Sequence, residues 1–102
     1  MELVDILEAN GGVAKISSVG RVARQARRAA REGHVIRPLP RIVMTATAAR
    51  HPESWMRAVR LWRPSAVFAG RAALYLAGMR DLKVTEIDVI VPHSMPRCLR
   101  CL

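Results

Sequence analysis

Hydrophobic positions along this chain follow first a helical period, then a strand-like one, then a helical period again. Leu3, Val4, Ile6 and Leu7 share one face of a helix over Glu2 to Asn10, with Glu2, Asp5 and Glu8 elsewhere on it. Its acids lie toward the positive N-terminal end, and Asn10-Gly11-Gly12 stops it, because Asn and Gly accept the left-handed backbone of a helix end. Val13 to Val19 is ambiguous and admits one or two helical turns, with Ser17 and Ser18 near their end. Gly20 is a break. From Arg21 to Glu32, Val22, Ala23, Ala26, Ala29 and Ala30 fall within a helical sector of roughly 120°. Gly33 ends that helix. His34–Leu39 and Arg41–Thr45 then read as two short strands, and Pro38 and Pro40 confine the first to a sheet edge or shorten it.

The second half begins with a linker, Thr45 to Arg50. Pro52, at a first-turn position, opens a helix running to Arg63 with Trp55, Ala58, Val59 and Trp62 on its apolar face. Arg57, Arg60 and Arg63 lie away from that face. Pro64 ends the helix, and Ser65 is placed to cap the next one. Ala66 to Ala77 is apolar nearly all round, which predicts a buried helix closed by Gly78. Glu86 to Val91 reads as a strand ended by Pro92. A strand alone has two unpaired edges, so this unit is expected to be incomplete and prone to self-association.

Charge changes the picture in one segment. The 102 residues carry 17 Lys and Arg against 8 Asp and Glu, a net charge of +9. Arg and Ala are both abundant, as in GC-rich coding sequences, so the total decides little and the placement decides more. Arg21, Arg24, Arg27, Arg28 and Arg31 occupy a sector of roughly 120° almost opposite the apolar stripe, flanked by Gln25 and Glu32. Codon bias adds arginines but does not sort five of them onto one side. With Arg37 and Arg41 near the hairpin tip, residues 21–41 hold a positive face suited to a polyanion. A short helix, a turn, a basic helix and a basic β-hairpin follow the order of a winged helix-turn-helix.

Other chemistry has little support. The N-terminus is acidic and is not a secretory signal, and the longest apolar stretch is interrupted by Arg71 and too short to span a bilayer. His34, His51 and His93 are scattered beside turns, with no carboxylate or serine recurring near them, so no catalytic residue is expected. Cys98 and Cys101 form one CxxC pair, half of a structural zinc site, and read as two reduced thiols. No metal and no cofactor is expected. Trp55 and Trp62 read as core anchors rather than as a base-stacking platform.

Taken in order, these segments resemble the AbiEi-type antitoxins of type IV toxin–antitoxin systems over about residues 2–93. The resemblance rests on Asn10-Gly11-Gly12-Val13-Ala14 and on the Arg/Ala helix Arg21–Glu32 closed by Gly33. It continues through His34-Val35-Ile36-Arg37, Arg41-Ile42-Val43-Met44, the segment from Ser65 to Gly78, and the strand ending Val91-Pro92. It implies a winged-helix domain that binds promoter DNA and represses its own operon, with a C-terminal domain that counters a nucleotidyltransferase-like toxin. By position, Arg21, Arg24, Arg28 and Arg31 match the DNA-reading helix, and Arg37 and Arg41 match the wing. The stretch from Val13 to Arg21 is a few residues shorter than in that family.

The expectation is therefore an α+β, mostly helical fold. Residues 1–46 would form a winged helix-turn-helix and residues 47–102 an incomplete helix-helix-strand unit, poor at neutralising a toxin. The expected partner is double-stranded DNA of its own promoter, bound by Arg21, Arg24, Gln25, Arg27, Arg28, Arg31, Arg37 and Arg41. A nucleotidyltransferase-like toxin and a second copy of the chain are further expected partners. No membrane is expected, and the location is cytoplasmic. A solitary winged-helix regulator and a non-specific RNA-associated basic protein are the alternatives.

Overall fold

The computed structural model describes residues 2–92 and 97–100. In chain order they form α1 (Leu3–Ala9), β1 (Val13–Lys15), α2 (Arg21–Arg31), β2 (Val35–Leu39) and β3 (Ile42–Thr45), then a single 3-10 turn (Ala48–Arg50). There follow α3 (Pro52–Trp62), β4 (Val67–Ala69), α4 (Gly70–Leu76), β5 (Glu86–Ile90) and β6 (Arg97–Arg100). Two three-stranded antiparallel sheets result, ordered β1-β3-β2 and β4-β5-β6. Fewer than half of the described residues are helical, which corrects the expectation of a mostly helical fold.

The first sheet divides two apolar cores. Side chains alternate across a strand, so neighbouring residues serve opposite faces. Val13, Leu39, Ile42 and Met44 enter the cluster that holds α3 and the second sheet, while Ala14, Val35 and Val43 enter the cluster under α1 and α2. The central strand β3 is covered on both faces, which explains why Ile42, Val43 and Met44 are apolar without alternation. β2 lies at the sheet edge and carries Pro38 within an irregular stretch of its pairing with β3, where the missing N–H breaks no ladder.

Two segments of the first half differ from the sequence reading. The ambiguous stretch after Gly12 forms β1 and then a bend at 18–20, with no helical turn. Its pairing with β3 explains the choice: Thr45 N–H donates to the Gly12 carbonyl (2.9 Å), and Ile16 N–H donates to the Arg41 carbonyl (2.8 Å). The expected linker from Thr45 to Arg50 instead folds into the 3-10 turn. There Thr45 Oγ1 accepts the Ala48 N–H (3.0 Å), and the Ala49 carbonyl accepts Trp55 Nε1–H (2.8 Å).

Helix α3 packs its Trp55, Met56, Ala58, Val59 and Trp62 side against both sheets, and Arg57, Arg60 and Arg63 stay exposed. The single buried helix expected over Ala66–Ala77 is replaced by strand β4 and the shorter helix α4, and Val67, Leu74 and Leu76 are exposed rather than buried. An apolar run that short does not distinguish strand from helix, and the pairing of β4 with β5 settles it. β5 is also not left with bare edges: β4 covers one and β6 the other. The larger core runs without interruption from Val13 to Val91, across residue 46.

Candidate nucleic-acid interface

Helix α2 is where the sequence placed the charge. Alanine gives it intrinsic helicity and lets its backbone lie close to the sheet, with Ala23 and Ala26 buried and Val22, Ala29 and Ala30 half-buried. Its five arginines are all exposed. Arg28 and Arg31 also sit in the last turn, where cations favour the negative end of the helix dipole.

The predicted residues divide by what already engages them. Arg21 pairs with Glu2 (2.5 Å), which stands in front of α1. Gln25 is held in the same contact: its Oε1 accepts the Leu3 N–H (2.9 Å) and its amide donates to Glu2. Both residues therefore help seat α1 on α2. Arg28 pairs with Glu32 one turn later (3.1 Å), a solvated pair of little energetic weight. Arg24, Arg27, Arg31 and Arg37 make no ion pair or side-chain hydrogen bond among the described residues. These four are the guanidinium groups open to an outside anion.

The hairpin reaches the same side of the molecule. Arg41 stands at its turn with φ +65°, a backbone conformation that non-glycine residues seldom adopt. Its side chain is tied down, because Nε–H donates to the Ile16 carbonyl (3.0 Å). A cavity of about 70 Å³ opens between the bend, α2 and the hairpin, and its lining includes Ser17, Ser18, Arg27, Arg37 and Arg41. It is the one place where arginines from the helix and from the hairpin share a cavity wall among the cavities described. The serines carried no binding expectation from sequence; only the fold brings them beside the arginines.

No family model, curated protein or solved structure matches this chain.

The remaining groups form no second constellation. Among the described residues no group of three His, Cys, Asp or Glu is placed to hold a metal ion. Cys98 lies exposed on β6, its thiol pushed up to about 11 by a hydrogen bond to Asp88, with desolvation and Glu86 adding to the effect. Cys101 and His93 lie outside the described residues. His34 and His51 stand at a wider apolar cavity of about 630 Å³ between α1 and the start of α3. Trp55 and Trp62 are both buried in the core. Among the described residues no helix is long and apolar enough to cross a membrane.

Proposed function

We propose that the chain binds duplex DNA through the exposed arginines of α2 and the β2–β3 hairpin, and represses its own promoter as an antitoxin-type regulator. One observation carries this reading: Arg27 from the helix and Arg37 and Arg41 from the hairpin, ten and fourteen residues further along the chain, line one cavity whose wall contains no acid. Two of these, Arg27 and Arg37, lack an internal partner among the described residues, as do Arg24 and Arg31 on the same helix, so an external polyanion relieves their mutual repulsion. An eleven-residue helix is about 16 Å long, and a major groove accepts an α-helix of that kind.

On this reading α1, β1, α2 and the hairpin are a winged-helix type of module in which a bend stands where a middle helix would be. Residues 1–46 then carry the DNA contacts. The order of motifs shared with AbiEi-type antitoxins supports the regulator role. It also points to a nucleotidyltransferase-like toxin as partner, a cytoplasmic location, and a homodimer on a two-fold operator. Arg24 and Arg31 hold phosphates or read guanine from the groove, while Arg21 and Gln25 act mainly by setting the angle of α1 against α2.

Competition binding tests it. The chain is titrated against its own upstream duplex, a random duplex and single-stranded RNA at one salt concentration. A preference of at least about 10³ for the upstream duplex supports a specific repressor. Equal affinity for RNA and duplex favours an RNA-associated basic protein instead.

A further inference from the structure

We infer that the small cavity between the 17–20 segment, α2 and the hairpin is a seat for a single phosphate-type oxyanion. Ser17 and Ser18 supply hydroxyl donors there, and Arg27, Arg37 and Arg41 supply charge. The inference rests on the DNA-binding reading only for the source of the anion, since a phosphodiester of the duplex and a free phosphate offer the same tetrahedral oxygens.

Three features point to this ligand class. The first is charge: three guanidinium groups share one wall with no carboxylate on it, and Arg27 and Arg37 have no internal partner among the described residues. Like charges gathered this way are stabilised by an anion between them. The second is size. About 70 Å³ is far below the roughly 300 Å³ at which pockets begin to hold drug-sized molecules, so a base or nucleoside is too large and a tetrahedral oxyanion is not. The third is construction. Arg41 is not a loose surface side chain, because its Nε is bound to the Ile16 carbonyl and its own carbonyl accepts the Ile16 N–H. That double link fixes the hairpin turn against the segment that carries Ser17 and Ser18. The wall is thus preorganised by backbone contacts, and two exposed arginines complete it.

The location gives the seat a role. It joins the helix and the hairpin, the two elements that would straddle a DNA strand, so a phosphate held there sets the register of both. Ser17 and Ser18 are then positioning residues for the duplex although they carry no charge.

Two measurements on the full chain test the inference. The first follows thermal unfolding and the phosphorus resonance of inorganic phosphate at constant ionic strength, with chloride as the replacing salt. Wild type is expected to gain thermal midpoint and broaden the resonance, and Arg27→Ala with Arg37→Ala is expected to do neither. The second measures duplex affinity for Ser18→Ala, which removes no charge, alters an exposed side chain and keeps the bond from Val19 N–H to Ser17 Oγ (3.2 Å). A loss of roughly tenfold with an unchanged salt dependence identifies the anion as a backbone phosphate. Phosphate binding without that loss supports the seat and assigns it a free oxyanion. No phosphate response together with wild-type duplex affinity in the serine variant overturns the seat. If Arg24→Ala still weakens duplex binding in that case, the DNA-binding reading survives without it.

Discussion

Arg41 and Ile16 hold each other twice, once through each residue's carbonyl: Ile16 N–H donates to the Arg41 carbonyl (2.8 Å), and Arg41 Nε–H donates to the Ile16 carbonyl (3.0 Å). The pair fastens the hairpin turn to the segment that leads into α2. Arg41 accepts a strained φ of +65° to do this.

That strain gives a prediction of unusual sign. Arg41→Ala and Arg41→Gly both lose the side-chain bond, worth about 1 kcal/mol, but only Gly also relieves the left-handed backbone. Urea unfolding should find Arg41→Gly more stable than Arg41→Ala by about 0.5–1 kcal/mol, after the extra freedom Gly gives the unfolded chain. Equal stability of the two variants would contradict the role given to the turn.

Gly70 joins β4 to α4 at φ +58°, and a Cβ built there falls 2.6 Å from Asp88 Oδ2. Gly70→Ala should therefore cost about 1–3 kcal/mol, part backbone strain and part the displaced carboxylate. Adding Asp88→Ala should recover the second part and leave the first, a coupling that a double-variant cycle measures. Additive losses would mean that the contact with Asp88 is not felt.

Tyr75 O–H donates to the carboxylate of Glu53, linking α4 to the first turn of α3. This bond, with a bond from the residue's own backbone and the nearby His51 and Arg80, holds Glu53 below its ordinary value of 4.5 against the opposing effect of burial. A lowered folded value means stability that is present above 4.5 and is lost as pH falls through the folded value. Tyr75→Phe should be less stable than wild type at neutral pH, and the gap should close in acid. A gap that stays constant down to acid unfolding would assign the loss to packing alone.

Legibility followed periodicity. α2 was readable to within a residue because its alanines and arginines separate cleanly over three turns, and the hairpin was readable from its two apolar runs and the prolines between them. β1, at three residues, is too short to show a period, and only its pairing with β3 defines it. β4 was hidden inside an apolar run, where Gly70 was the unread signal of a break. At the candidate site the charge was legible but its internal bookkeeping was not. Nothing local shows that Glu2 reaches Arg21 and Gln25, or that Ser17 and Ser18 line the same cavity as Arg27, because those placements depend on how α1 and the hairpin pack.

The salt dependence of duplex binding tests the central claim most directly. If four to six arginines of α2 and the hairpin meet phosphates, log affinity should fall with log salt at a slope of about −4 to −5. Arg24 and Arg31 are exposed and lack internal partners among the described residues, so replacing both with Ala should leave the fold intact and flatten the slope by about two. A double variant with the wild-type slope would take α2 out of the interface and contradict the account.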